Sequence, residues 1–270
     1  MEKTFDGYRF LDVGGTYVKI LGASPVPVAS GGSREEIAAG LKAAIGPLDN
    51  LKGIGIAIPG PFDYHEGVFR MEHKFAAVYG ESFAKLTGIP DGFPIKFMHD
   101  VTSVLEGSMQ MLDLKGNVAL VTIGTGLGFC VALDGKVQYS PTGSPAHSIW
   151  KAPWNGGILE DLVSARGIRD AYAARTGITT ASALDVAMNA NAGDEDAMDV
   201  YFQLGAALGE TLAEILEELE VETLLMGGQI SKSLKLMDRP LRNALEGVQV
   251  MQAPEGAVFE GLKTLFNNTI

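Results

Sequence analysis

The residues best suited to chemistry sit in a short N-terminal stretch, Asp12-Val-Gly-Gly-Thr-Tyr-Val-Lys19, where an apolar run ends in an acid and turns through Gly14, Gly15 and Thr16. Glycines after a strand let backbone N–H groups approach phosphate oxygens with no Cβ in the way. A Rossmann site or P-loop would need a helix to open there. Tyr17 to Leu21 is instead β-branched, aromatic and alternating, so it reads as a second strand and the element as a β-hairpin with a Gly-Gly-Thr tip. At such a tip Asp12 can hold a water-shelled Mg²⁺, while Thr16 and nearby amides face a phosphate. Lys19 either joins them or points to solvent. Taken alone, an ordinary hairpin with a glycine turn accounts for the same residues.

The plan recurs. Val118 to Ile123 reads as a strand, Gly124-Thr125-Gly126-Leu127-Gly128 as a tip, and Phe129 to Leu133 as the returning strand. Asp134-Gly135 then makes a tight turn into Lys136 to Tyr139. The two units begin 110 residues apart, at Asp12 and Thr122. Such an internal echo, one hairpin per half, could grip a nucleotide's phosphates from opposite sides. A third glycine site, Gly227-Gly228-Gln-Ile-Ser231, ends a strand over 221–226 and opens a helix over about 232–245. A helix N-terminus there can face an anion or let an adenosine approach; a tight turn is the alternative.

Two strand ends stand out, because ligands gather at strand ends in α/β sheets. Lys52 to Ile58 reads as a buried strand stopped by Pro59-Gly60-Pro61-Phe62. Pro94 to Met98 reads as another, closed by His99-Asp100 before helical spacing over 101–112. Asp100 is either an N-cap or a functional carboxylate. His147 lies in a loop over 139–157 with Ser144, Trp150 and Trp154, either as a ligand or in a structural role. Glu160 falls near the start of a helix over 158–175, where a carboxylate also complements the helix dipole.

The elements that must position these groups alternate between strand and helix. Ser33-Arg-Glu-Glu36 is a capping box for a helix to about residue 45. A short helix covers 81–87, a long amphipathic one 194–220, and the chain closes with a strand over 248–252 and a helix over 256–266. Segments 63–67 and 71–80 show little regular pattern. The division falls near 112–115, giving domains 1–112 and 113–270, with a C-terminal helix over about 256–270 packing back onto the first.

The chain has 270 residues and a formal net charge of −12, which argues against nucleic acid as a partner, since phosphate binding on that scale needs a basic face. The single cysteine, Cys130, forbids an intramolecular disulfide and a cysteine-cluster zinc site. The charged start has no apolar signal-peptide region. The longest apolar stretch, 118–133, is short and interrupted by glycines and threonines, so it is no membrane span. The expectation is a cytoplasmic protein with no membrane partner.

These motifs together resemble the ROK family, the sugar kinases and sugar-responsive repressors of the actin-like ATPase fold. The resemblance is carried by Asp12 to Lys19, Pro59-Gly-Pro-Phe-Asp63, His99-Asp100, Gly124 to Gly128, Gly157-Ile-Leu-Glu160 and Gly227 to Ser231, in the family's order. It implies an α/β fold of two ribonuclease H-like domains with a cleft between them. It implies ATP and Mg²⁺ at Asp12 and the first tip, the second tip clamping phosphates, Gly227 and Gly228 by the adenosine, and Asp100 as the base toward a sugar hydroxyl. Gly60, His99, His147 and Glu160 would line the sugar site, and a homodimer is implied. Departures are His99 where the family has Asn, and Ser144-Pro-Ala-His147 where it has Glu-x-Gly-His. The family's zinc-binding cysteine cluster is missing, so no zinc is expected. A non-catalytic sugar-sensing regulator is the alternative, although only eleven residues precede Asp12, which argues against direct DNA binding. A polyphosphate donor is disfavoured by the net acidity.

Overall fold

In a computed structural model, which describes residues 5–267, the chain divides by its contacts into two compact units. The first gathers residues 5–112, 139–146 and 255–267; the second gathers 113–138 and 147–254.

In the first unit β1 (Tyr8–Val13), β2 (Tyr17–Ile20), β3 (Ala23–Pro27), β4 (Gly53–Ile58) and β5 (Ile95–His99) form one sheet in the order β3-β2-β1-β4-β5. The first three run as an antiparallel meander, and β4 and β5 add in parallel to β1. Helix α1 (Arg34–Ile45) leads into β4 and starts with the expected capping box between Ser33 and Glu36. Strand β4 shows why its sequence alternates. Ile54, Ile56 and Ile58 join Leu11, Val13, Ile37 and Leu41 in the core on one face. On the other face Gly53 and Gly55 leave room for Phe266, whose ring lies 3.1 and 3.3 Å from where their Cβ atoms would be, closer than ordinary van der Waals contact.

The stretch containing 63–67 and 71–80, segments read as irregular, holds a two-residue hairpin (Phe62–Asp63 with Val68–Phe69) and a single 3₁₀ turn over Ala76–Val78. Four phenylalanines, Phe62, Phe69, Phe75 and Phe83, anchor this segment in the core. Helix α2 (Phe83–Thr87) follows, and after β5 comes α3 (Asp100–Met111).

The second unit repeats the plan. Its sheet contains β6 (Val118–Ile123), β7 (Leu127–Leu133), β8 (Lys136–Val137), β9 (Thr223–Gly227) and β10 (Gln249–Gln252), in the order β8-β7-β6-β9-β10. Strands β6 and β7 are antiparallel, and β9 and β10 run parallel to β6. Gly128, expected in the tip, lies inside β7 opposite Thr122. The loop is shorter because Leu127 is already buried and paired with Ile123.

The helix expected over 158–175 is two, α4 (Leu159–Leu162) and α5 (Ala165–Thr176). Ser164 breaks the run by acting as a fresh N-cap, its Oγ accepting the Gly167 N–H at 3.1 Å, a role for which serine is well suited. Helix α6 (Ala183–Asn191) was not foreseen; it opens on a Ser182–Asp185 capping box. The long helix α7 (Glu195–Glu218) packs on α8 (Leu234–Ala244), where Gly205 and Gly209 let the backbones approach. A 3₁₀ turn over Ile230–Ser233 precedes α8, so that helix starts later than the sequence suggested.

The C-terminal helix α9 (Ala257–Thr264) belongs to the first unit and packs against α3. A Cβ on Gly107 would fall 1.8 Å from the Ala257 carbonyl oxygen, and one on Gly261 2.0 Å from that of Ser103. The Ser103 hydroxyl donates to Val258 O (2.7 Å) and the Thr264 hydroxyl to Glu106 (2.7 Å). Only glycine at both positions permits this contact, and it fixes the helix that begins at Asp100.

Candidate functional site

Within the first unit, the β1–β2 tip is closed by the Gly14 N–H donating to Tyr17 O at 2.9 Å. The Gly15 and Thr16 carbonyls accept from Ser30 (3.3 Å) and Val28 (2.9 Å). Among the described residues the Gly15 and Thr16 amides find no acceptor, which suits them to an anion.

Asp12 and Lys19 face each other across the hairpin and form an ion pair of 2.9 Å. Lys19 thus neither caps the tip nor simply extends into water, although its side chain is 58% exposed. Burial raises the Asp12 carboxyl above its ordinary value; Lys19 opposes this and the negative charge of Asp100 adds to it. A single hard carboxylate fits Mg²⁺, which keeps several waters and uses one or two protein carboxylates. Among the described residues no three His, Cys, Asp or Glu side chains gather as a metal cage.

Asp100 is the first residue of α3, with His99 as the cap. The Asp100 Oδ1 accepts the Val101 N–H at 2.8 Å and lies 2.8 Å from His99 Nδ1. The Val101 N–H is 3.2 Å from the same ring nitrogen. The shorter distances give the amide to the carboxylate and place the Nδ1 proton between ring and acid. Burial alone would raise the Asp100 carboxyl; the neighbouring His99, the Val101 amide and the charge of Lys74 outweigh it and hold the carboxyl below its ordinary value. The Asp100 side chain is 37% exposed against 15% for His99, so the acid is the open member of the pair.

Gly60 closes this corner. A Cβ there would stand 3.3 Å from His99 Nε2 and 3.4 Å from the Tyr64 hydroxyl. The Tyr64 hydroxyl donates to Ile58 O (3.0 Å), and its ring packs 5.7 Å from the His99 ring. Burial, then the charge of Asp100, push its phenol well up, so it stays protonated. Loop 139–146 joins here: the Tyr64 N–H donates to Thr142 O (3.2 Å), and the Thr142 hydroxyl bonds Ser144 Oγ (3.3 Å).

Within the second unit, the Gly124 N–H donates to Gly126 O (3.0 Å), and the Ala165 N–H at the start of α5 donates to Gly124 O (2.8 Å). Thr125 is exposed, and among the described residues the Thr125 and Gly126 amides have no acceptor. The Glu160 Oε2 accepts the Leu127 N–H at 2.8 Å, so the acid braces this tip. Gly228 has φ +84°, and a Cβ on it would fall 2.3 Å from Ile123 O. Glycine is therefore obligatory where β9 ends beside β6, while Gly227 closes β9 opposite Thr122. His147 lies in this unit too, lining a cavity of about 160 Å³ with Phe129, Ile149, Ile215 and Glu218.

The first unit thus brings together Asp12, Gly14, Gly15, Thr16, Lys19, Gly60, His99 and Asp100. The second brings together Gly124, Thr125, Gly126, Gly128, Glu160, Gly227 and Gly228. Tyr64 and Lys74 escaped the sequence reading because they sit on the segment without periodicity; the aromatic spacing of Phe62, Phe69, Phe75 and Phe83 was the available signal that it was anchored.

Comparison with known proteins agrees with this architecture. The chain is 27% identical over 181 residues to a glucokinase from Halalkalibacterium halodurans, a match spanning 58% of this chain and 54% of that protein. It is 24% identical over 240 residues to an N-acetylmannosamine kinase from Escherichia coli O157:H7, covering 82% of each. A ROK family glucokinase from Streptomyces griseus, solved with glucose and AMPPNP, superposes with a TM-score of 0.78 at 19% identity, covering 94% of this chain and 97% of that one. That likeness gives the fold, the actin-like ATPase fold. The sequence profile of the ROK family matches residues 30–266, and the chain belongs to the ROK family.

Proposed function

We propose that the protein is an ATP-dependent sugar kinase of the glucokinase type, with the phosphates of Mg-ATP as the ligand of each glycine tip. The observation that carries this reading is Asp100: an ionised, partly open carboxylate held at a helix start in the same unit as the Asp12 tip. Asp100 orients the sugar hydroxyl and takes its proton. A carboxyl held low is a weak base, which suffices because phosphoryl transfer has a loose transition state and needs the proton accepted late. Asp12 would hold Mg²⁺ through water, and the ion would neutralise phosphate charge. Gly227 and Gly228 leave the backbone bare for the adenosine. Gly60, His99 and His147 serve the sugar, and Glu160 keeps one oxygen on the Leu127 amide and offers the other to a hydroxyl. ATP is favoured over polyphosphate because a net charge of −12 provides no basic track for a long polyanion.

Ser144 stands where the family pattern has a carboxylate, so the sugar preference is weak or shifted. A panel of hexoses and N-acetylhexosamines with ATP, read by coupled ADP release, tests the proposal. Turnover of one or more sugars is the expected result. Silence across the panel with ATP still bound would favour a sugar-sensing regulator, the second reading that the Ser144 departure keeps open.

A further inference from the structure

Lys74 stands outside every motif in the chain, yet the fold of the first unit fixes its place. Its neighbour Phe75 is fully buried, adopts a left-handed backbone (φ +55°) and donates its N–H to Ser30 O at 2.6 Å. Ser30 in turn donates its N–H to Gly15 O (3.3 Å). Gly15, Ser30 and Phe75 therefore form one tied set, and the Lys74 stem is held 3.8 Å from the position a Gly15 Cβ would take. Lys74 is only half-buried, and among the described residues it makes no ion pair. The other nearby cation, Lys19, is already committed to Asp12. Lysine is a point charge that serves well against phosphate. A lysine whose stem runs beside Gly15, where the Gly15 and Thr16 amides find no acceptor among the described residues, and whose charge acts on Asp100, matches a group carrying several anionic oxygens.

We propose that Lys74 is a phosphoryl-binding cation, meeting the oxygens of the transferred group at the Gly15–Thr16 tip. This rests on the kinase reading. In the step itself the acceptor hydroxyl oxygen bonds to the γ-phosphorus, the bond to the β–γ bridging oxygen breaks, and ADP leaves. The hydroxyl proton goes to Asp100, and Lys74 keeps its own proton throughout.

The test is calorimetric titration of Mg-AMPPNP and Mg-ADP into the wild type, Lys74→Met and Lys74→Arg, with sugar kinetics alongside. Lys74→Met should bind AMPPNP roughly tenfold or more weakly, the size of a lost charge-assisted contact. Its ADP affinity should change by less than about twofold, its kcat should fall with little change in sugar KM, and Lys74→Arg should recover most of the AMPPNP binding. Equal loss for both nucleotides, no loss, or a loss confined to sugar KM would overturn the assignment while leaving the kinase reading intact. A wild type that binds neither nucleotide would remove both.

Discussion

His99 Nδ1 lies 2.8 Å from Asp100 Oδ1, at the point where β5 ends and α3 begins. The His99 ring orients the carboxylate, which takes the Val101 amide of the helix's first turn and is still partly open. The pair therefore ties the start of a helix to the acid proposed as the base, and most of the expected behaviour of the protein follows from it.

Asp100→Asn should abolish sugar phosphorylation, by about 10²- to 10⁴-fold if proton acceptance is its role. Nucleotide binding should persist, because the tip amides and Asp12 are untouched. Wild-type turnover in the variant would take Asp100 out of the reaction.

Acid should act on Asp12 before Asp100, since the first carboxyl is raised and the second lowered. As pH falls from neutrality the Mg²⁺ requirement should rise first, while Asp100 stays ionised to below the ordinary carboxylate range. Magnesium titrations of initial rate at several pH values would reveal this; a requirement flat in pH would contradict it.

The same shifts have opposite signs for stability. Asp100 has a depressed folded value, so its stabilisation is present above the unfolded value and lost as pH falls through the folded one. Asp12 has a raised folded value, so its contribution is present below the unfolded value and lost as pH rises through the folded one. At neutral pH Asp12→Asn should therefore leave the thermal midpoint unchanged or higher while removing activity. A marked drop in the midpoint would show that the pair with Lys19 is structural.

Gly107→Ala should destabilise the protein by about 1–3 kcal/mol or more, because its methyl would overlap the α9 backbone. It should also depress turnover by shifting α3. Gly31→Ala, which meets nothing within 4 Å, is the control and should stay within about 1 kcal/mol. Urea denaturation with parallel rate measurements would separate the two.

Glu160→Ala should raise the KM for ATP through the loosened second tip, and the KM for sugar as well. In Glu160→Gln the amide oxygen can still accept the Leu127 N–H, so the ATP effect should be much smaller. Equal ATP KM values in both variants would mean the brace at Leu127 is idle.

The first glycine tip was legible because the alternating, partly β-branched run Tyr17 to Leu21 follows it, and the second because Phe129 to Leu133 repeats the plan. Asp100 was legible as a junction residue, but its low carboxyl was not, since that depends on how the His99 ring and the Val101 amide are turned toward it, with a smaller contribution from Lys74. Strand β3 went unread because Pro25 and Pro27 deny it the usual pattern; it survives as a sheet edge, where proline costs least. The split between α4 and α5 was hidden because apolar spacing runs through Ser164, whose hydroxyl, not its periodicity, restarts the helix. The close contact of Gly107 and Gly261 could not be inferred locally, since each glycine makes sense only beside the other helix.

The seating of α9 against α3 bears on how the chain is made. Residues that complete the first unit leave the ribosome only after the whole second unit, so during synthesis the Asp100 helix waits with its glycine face bare. The second unit can mature first, and the N-terminal half gains its last buttress only once α9 has followed, a long-range closure of the kind that slows folding.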